Sequence, residues 1–290
     1  LQEKGWVHLP TYPPRPLSSL ATNPSGQLFV GGEHGQLLQW EENPSLQFHN
    51  IADILSIEGG TNSNTIGASL IDIDEDNDLD LFVFNSDRYQ LSRLYRNHGG
   101  SLFSEISYEA GLLGLYDPLL YTVGDFDQEG SADLAFIVKE QSSYELKILY
   151  QISEIPLWKH KRTIPSLPVR RDPIQLLKSD PDMDGDPDML LISTHSEGNK
   201  RGSVFLLENL WGNDFTTQDS TYAPFDNAWY QGLAELPSAD TDQRSYYTYR
   251  AWAKDETIQI TRNGQTFQHS DSLFFDLDTS NTRGIALGDY

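Results

Sequence analysis

Asp72-Ile73-Asp74-Glu75-Asp76-Asn77-Asp78-Leu79-Asp80 runs straight into the apolar segment Leu81-Phe82-Val83-Phe84. An acidic loop closed by an apolar strand is unusual, and here it recurs. Asp125-Phe126-Asp127-Gln128-Glu129-Gly130-Ser131-Ala132-Asp133 leads into Leu134-Ala135-Phe136-Ile137-Val138. Asp180-Pro181-Asp182-Met183-Asp184-Gly185-Asp186-Pro187-Asp188 leads into Met189-Leu190-Leu191-Ile192. The shared order is Asp-x-Asp-x-acid-x-x-x-Asp. The copies start 53 residues apart (125 − 72) and then 55 apart (180 − 125). A fixed period of this length is the signature of a repeat architecture.

The period extends outward in both directions. Gly288-Asp289-Tyr290 matches the opening of a further copy, 109 residues after Asp180 (289 − 180), or about two periods. A degenerate copy is therefore expected near Ala239-Asp240-Thr241-Asp242-Gln243-Arg244, with Arg244 at the third ligand position in place of a cation. Upstream, the segment from Gln27 to Trp40 reads as strand, Gly turn, strand. Leu94-Tyr95-Arg96-Asn97-His98-Gly99-Gly100-Ser101-Leu102-Phe103 and the Asn-Gly turn within Gln259 to Phe267 read as further hairpins. Helical periodicity is absent over any long stretch. Four short strands per period predict an all-β chain, a β-propeller of four-stranded blades with Asp-rich loops. The expected blades cover 15–60, 61–112, 113–168, 169–225 and 226–275, with 276–290 starting the next. On this reading 1–290 is a single, incomplete propeller of about five blades, seven- or eight-bladed when complete.

Alternating side chains of a curled loop can converge on one point, and calcium takes six to eight oxygen ligands. Expected ligands are the side chains at positions 1, 3, 5 and 9, with the position-7 residue contributing its carbonyl. These are Asp72, Asp74, Asp76, Asp78 and Asp80; Asp125, Asp127, Glu129, Ser131 and Asp133; and Asp180, Asp182, Asp184, Asp186 and Asp188; Asp289 opens the next set. Position 6 needs a positive φ, which Gly130 and Gly185 adopt freely and Asn77 tolerates. An EF-hand is excluded because position 12 is Val83, Phe136 or Leu191 in place of the bidentate Glu. About three structural calcium ions are expected in this chain.

The totals agree. Forty-three acidic residues against 20 basic give a net charge of −23, which argues against nucleic acid and anionic membranes as partners. No cysteine is present, so disulfides and thiolate chemistry are excluded, and no apolar run reaches membrane-spanning length. The chain opens on Leu1 without an initiator Met, as a processed export product would. Asn23 and Asn43 sit in glycosylation triplets spoiled by Pro, which leans towards a bacterial source. No zinc-type His spacing, Gly-x-Ser-x-Gly elbow or phosphate loop is present, so no catalytic residue is assigned. Lys159, Lys161, Arg162, Arg170 and Arg171 form a basic concentration, a candidate dock for an acidic glycan or protein surface. Solvated strand and loop explain them as well. The aromatic run from Ser245 to Trp252 suits either sugar stacking or ordinary blade packing, and the alternation favours packing.

The segments 71–84, 124–138 and 179–193, with Leu94 to Phe103 followed by Ala110-Gly111-Leu112, resemble FG-GAP/VCBS repeats. Such repeats build the integrin α propeller and many bacterial secreted proteins, including the ASPIC/UnbV and cartilage-acidic-protein group. Glu129 departs from the family's Asp or Asn, and the Phe-Gly…Gly-Ala-Pro hallmarks are mostly missing, which favours the VCBS branch. The resemblance implies a secreted, non-enzymatic, calcium-binding module that binds protein or glycan at a cell surface, in an adhesion complex. The alternative is a propeller lectin or a lyase-like enzyme domain acting on an acidic glycan.

Overall fold

Among the described residues, twenty strands make five four-stranded sheets, each an antiparallel meander in chain order. The computed structural model describes residues 17–22, 28–32, 37–41, 47–50, 65–85, 92–99, 103–112, 118–152, 158–167, 169, 173–181, 183–193, 203–210, 215–221, 229–236, 243–251, 256–261 and 268–271, with side chains only within 68–216. They fall into two compact units, 1–117 and 118–290.

In the first unit, β1 (Leu17–Thr22), β2 (Leu28–Gly32), β3 (Leu37–Glu41) and β4 (Gln47–Asn50) form one sheet. The other contains β5 (Thr65–Ile71), β6 (Asp80–Asn85), β7 (Arg93–Asn97) and β8 (Phe103–Glu105). The two sheets meet through β1 and β5. In the second unit the sheets are β9 (Pro118–Gly124) to β12 (Trp158–Ile164), β13 (Pro173–Ser179) to β16 (Phe215–Thr221), and β17 (Trp229–Leu236) to β20 (Gln268–Asp271). Between them run β10 (Asp133–Glu140), β11 (Ser143–Gln151), β14 (Asp188–Ser193), β15 (Ser203–Asn209), β18 (Gln243–Ala251) and β19 (Glu256–Thr261). Here too first strands pack together, β9 on β13 and β13 on β17.

The burial explains the sequence pattern. The second strands β6 and β14 are buried along their whole length, and β10 is buried until Lys139 and Glu140 emerge at its end. A strand covered on both faces needs an uninterrupted apolar run, and each acidic loop leads into one. In contrast, β11 alternates along most of its length, with Tyr144, Leu146 and Ile148 inward. The core of the second unit joins Phe126 of the acidic loop and Ile137 and Ile148 of the sheet it belongs to with Leu176, Leu191 and Phe215 of the next.

All five first strands share a detail invisible in the sequence. Each carries a β-bulge one residue from its start or nearly so, at Ser18, Ile66, Leu119, Ile174 and Gln231. The extra residue bends the strand and strengthens its twist. In the three acidic repeats it lies six residues before loop position 1. The five sheets are thus copies of one unit, the first and fifth included.

The strand ends also correct the register of the degenerate copy. Each acidic loop joins a closing pair nine residues apart: Ile71↔Asp80, Gly124↔Asp133 and Ser179↔Asp188. In the fifth sheet the closing pair is Leu236↔Ser245, again nine apart. Position 9 therefore falls on Ser245, and Arg244 lies at position 8, within β18, and not at a ligand position. Asp240 and Asp242 lie outside the described residues, but by count they fall at even positions.

Candidate metal centre

The three acidic loops share two left-handed positions. Position 6 is left-handed in each, with φ of 69° at Asn77, 90° at Gly130 and 97° at Gly185. Position 4 is left-handed too, at Glu75, Gln128 and Met183, with φ of 60°, 59° and 58°. Composition gives no hint of the second, since none of the three is Gly, Asn or Asp. Two such residues per loop curl the chain, and in two of the loops the side chains at positions 1, 3 and 9 converge.

The carboxylates follow that curl. Ligand oxygens of Asp72, Asp74 and Asp80 lie within 4.8 Å of one another, and so do those of Asp125, Asp127 and Asp133. Positions 1, 3 and 9 are thereby brought together in two loops. Asp182, position 3 of the third loop, lies outside the described residues, as does Asp289. Position 5 stands apart from this grouping. Asp76 and Glu129 are exposed, and the Asp76 carboxylate accepts the N–H of Asp78 at 2.9 Å in a local turn. Asp184, also exposed, does the same for Asp186 at 3.1 Å. At position 7, Asp78 is exposed, Ser131 is half-buried and Asp186 is buried.

Position 1 shapes the loop from within. Asp72 accepts the N–H groups of Asp76 (3.2 Å) and Asn77 (3.0 Å), and Asp125 accepts that of Gly130 at 2.9 Å. Position 9 does more. Asp80, Asp133 and Asp188 are fully buried. One oxygen of each accepts a backbone N–H from the end of the third strand: Asn97 (2.7 Å), Gln151 (2.9 Å) and Asn209 (2.7 Å). The other oxygen accepts the position-2 N–H, Ile73 at 2.9 Å and Phe126 at 2.8 Å. In the third loop position 2 is Pro181, which has no N–H to give. This aspartate is thus a cross-brace between loop and sheet as well as a candidate ligand. The sequence does not single out the partners Asn97, Gln151 and Asn209; their signal is an amide residue 17, 18 and 21 positions after the final Asp.

The brace reaches the neighbouring sheet. The Asn209 side chain donates to the carbonyl of Phe126 (2.9 Å) and to that of Pro187 (3.3 Å). Phe126 itself is fully buried and meets Phe215 edge-on, with ring centroids 6.1 Å apart. Trp158 closes the same loop by donating its indole N–H to Ala132 O at 2.8 Å. Of the basic concentration, Lys159 is exposed and Arg162 half-buried, both on β12. The side chain of Lys161, and Arg170 and Arg171, lie outside the described residues.

Electrostatics favours a cation. Burial pushes the Asp80 carboxyl up to about 6, with Asp74 and Asp76 adding to the rise and the N–H donors of Asn97 and Ile73 opposing it. Burial pushes Asp133 up to about 7, against its N–H donors, and nearby Asp127 adds to the rise. Oδ1 of Asp125 is buried and accepts no hydrogen bond among the described residues, and the same holds for Oδ1 of Asp74. Converging hard oxygens, raised acid pKa values and unused acceptors together fit a hard divalent cation. The two clusters could hold a metal ion.

This has a pH consequence for the metal-stripped chain. Asp80 and Asp133 bind protons more tightly folded than unfolded, where a carboxyl titrates near 4. Their contribution to stability is complete below about pH 4 and is lost as pH rises through about 6–7. Melting temperature in EDTA should therefore fall from pH 5 to pH 8, and Asp133→Asn should flatten part of the slope. A flat or rising profile would contradict the electrostatics described here.

No family model and no curated protein sequence matches the chain. Solved structures do. One, described as a Dos1 propeller, matches over 91% of this chain with 8% identity and a TM-score of 0.51. The chain spans 61% of that protein's length. A protein of unknown function from Bacteroides caccae matches over 93% of this chain and 87% of its own, with 10% identity and a TM-score of 0.51. A B. megaterium levansucrase covers 87% of this chain at 10% identity and a TM-score of 0.47. The fold is a β-propeller. At these identities the likeness extends to the fold alone, and the acidic loops must be judged on their own geometry.

Proposed function

We propose that this propeller is a non-enzymatic, extracellular binding module whose acidic loops hold structural calcium. The observation that carries the reading is the repetition of one loop: left-handed backbone at positions 4 and 6 in all three copies, with the acids at positions 1, 3 and 9 converging in two. Three loops with the same left-handed turns are costly without a shared purpose, since two of them pack like charges together. Calcium answers the charge, the oxygen-only donor set and the local origin of the ligands. The FG-GAP/VCBS resemblance supports the same choice of metal. Rigid loops fixed by calcium would then present a binding surface to protein or glycan, as propellers commonly use loops at one end. Millimolar calcium outside cells suits sites of modest affinity, which is why the module is assigned there.

Calorimetric titration of the EDTA-stripped chain tests the proposal. It should take up about three calcium ions per chain, one per acidic loop, and Asp125→Ala should remove one of them. No uptake would sink the metal assignment. Release of reducing ends or unsaturated products from an acidic polysaccharide would overturn the non-enzymatic part.

A further inference from the structure

The first loop has a cation of its own. Arg96, on β7, pairs through Nη2 with Oδ2 of Asp74, the position-3 acid of the Asp72–Asp74–Asp80 cluster. Arg96 directly precedes Asn97, whose N–H braces Asp80, so the strand end that fixes position 9 also aims the guanidinium at position 3. We propose that Arg96 is a tethered counter-charge that occupies the first loop when metal is absent and must yield when a divalent cation binds. The inference rests on the cation-holding reading of the loops and adds a residue that sets the affinity of one of them.

The geometry suits a displaceable partner. The contact is made by a single nitrogen, not the two-pronged fork that makes arginine–carboxylate pairs strong. The Nε–H of Arg96 is buried and donates no hydrogen bond among the described residues. The Asp74 carboxylate keeps Oδ1 uncommitted on the buried side. The Arg96 side chain is 43% exposed, so it can swing into water without crossing the core. Asp72, Asp74 and Asp80 bring ligand oxygens within 4.8 Å of one another, and three carboxylates that close together call for positive charge nearby. Arg96 supplies it permanently and weakly; a divalent ion supplies it better and only when present. The first loop should therefore stay folded at calcium concentrations too low to fill it.

The test compares Arg96→Gln and Arg96→Lys with the unaltered chain by calcium titration and by melting. Arg96→Gln should tighten one calcium site by about two- to fivefold, the scale of a partly exposed ion pair. It should also lower the melting temperature in EDTA, and saturating calcium should erase the difference. Arg96→Lys should behave like the unaltered chain. Adding Asp72→Asn to Arg96→Gln should abolish the gain, which assigns it to this loop. If Arg96→Gln melts lower in EDTA and in calcium alike, with affinity unchanged, Arg96 is a mere structural prop and the inference falls while the calcium reading survives. If the unaltered chain takes up no calcium, both fall.

Discussion

Asp133→Ala should destabilise the second unit by about 3–5 kcal/mol in EDTA, before any loss of bound calcium is counted. The Asp133 carboxylate accepts the N–H groups of Phe126, Asp127 and Gln151 at 2.8, 3.3 and 2.9 Å, and it is fully buried. Alanine offers no acceptor to any of them, and each buried unsatisfied donor costs about 1–3 kcal/mol. One effect opposes this. A carboxylate pushed up to about 7 is reluctant to ionise, so removing it relieves some desolvation. At neutral pH the metal-free group sits near its midpoint, so the relief is partial and the lost acceptors dominate. Asn keeps one oxygen but turns an NH2 towards the other N–H donors, so Asp133→Asn should fall between alanine and the unaltered chain. Asp76→Ala is the contrast: it is exposed and accepts one local N–H, so its cost in EDTA should stay below about 1 kcal/mol. Urea unfolding of the three variants in EDTA gives the ranking. Equal losses for Asp133→Ala and Asp76→Ala would mean that the buried brace is not what holds the loop.

Much of this architecture is legible in the amino-acid sequence. The nine-residue acidic pattern carries the period, the all-β class and the position-6 turns, because a loop that must curl leaves Gly or Asn where φ is positive. Apolar runs such as Leu134 to Val138 mark the doubly covered strands. The brace is hidden because a hydrogen bond from Gln151 N uses backbone, and backbone leaves no residue signature. Left-handed Glu75, Gln128 and Met183 are hidden for a related reason: the strain is local and the side chains ordinary. The five bulges are also backbone features, and Ser18, Ile66 and Gln231 have no chemistry in common. The degenerate copy is misregistered in the sequence because Asp240 and Asp242 mimic the opening Asp-x-Asp, whereas strand pairing counts from Leu236. Arg96 reads there only as part of a hairpin, since nothing in a single sequence ties β7 to an acid 22 residues earlier (96 − 74).

The central claim is that folding and calcium binding are one equilibrium in this chain. An ion that binds only the folded state stabilises it by about 2.7 kcal/mol per site when its concentration is 100 times Kd. In a chain of this size each kcal/mol raises the melting temperature by about 2–4 °C. Several filled loops should together raise it by more than about 10 °C. Magnesium, which demands tighter octahedral geometry and gives up its water reluctantly, should do far less. The most direct measurement is therefore a thermal melt of the chain in EDTA and in millimolar calcium at pH 7.5. A rise of that size, reversed by chelation, is the predicted result; superimposable melts would mean that the loops are empty acidic turns and would contradict the account.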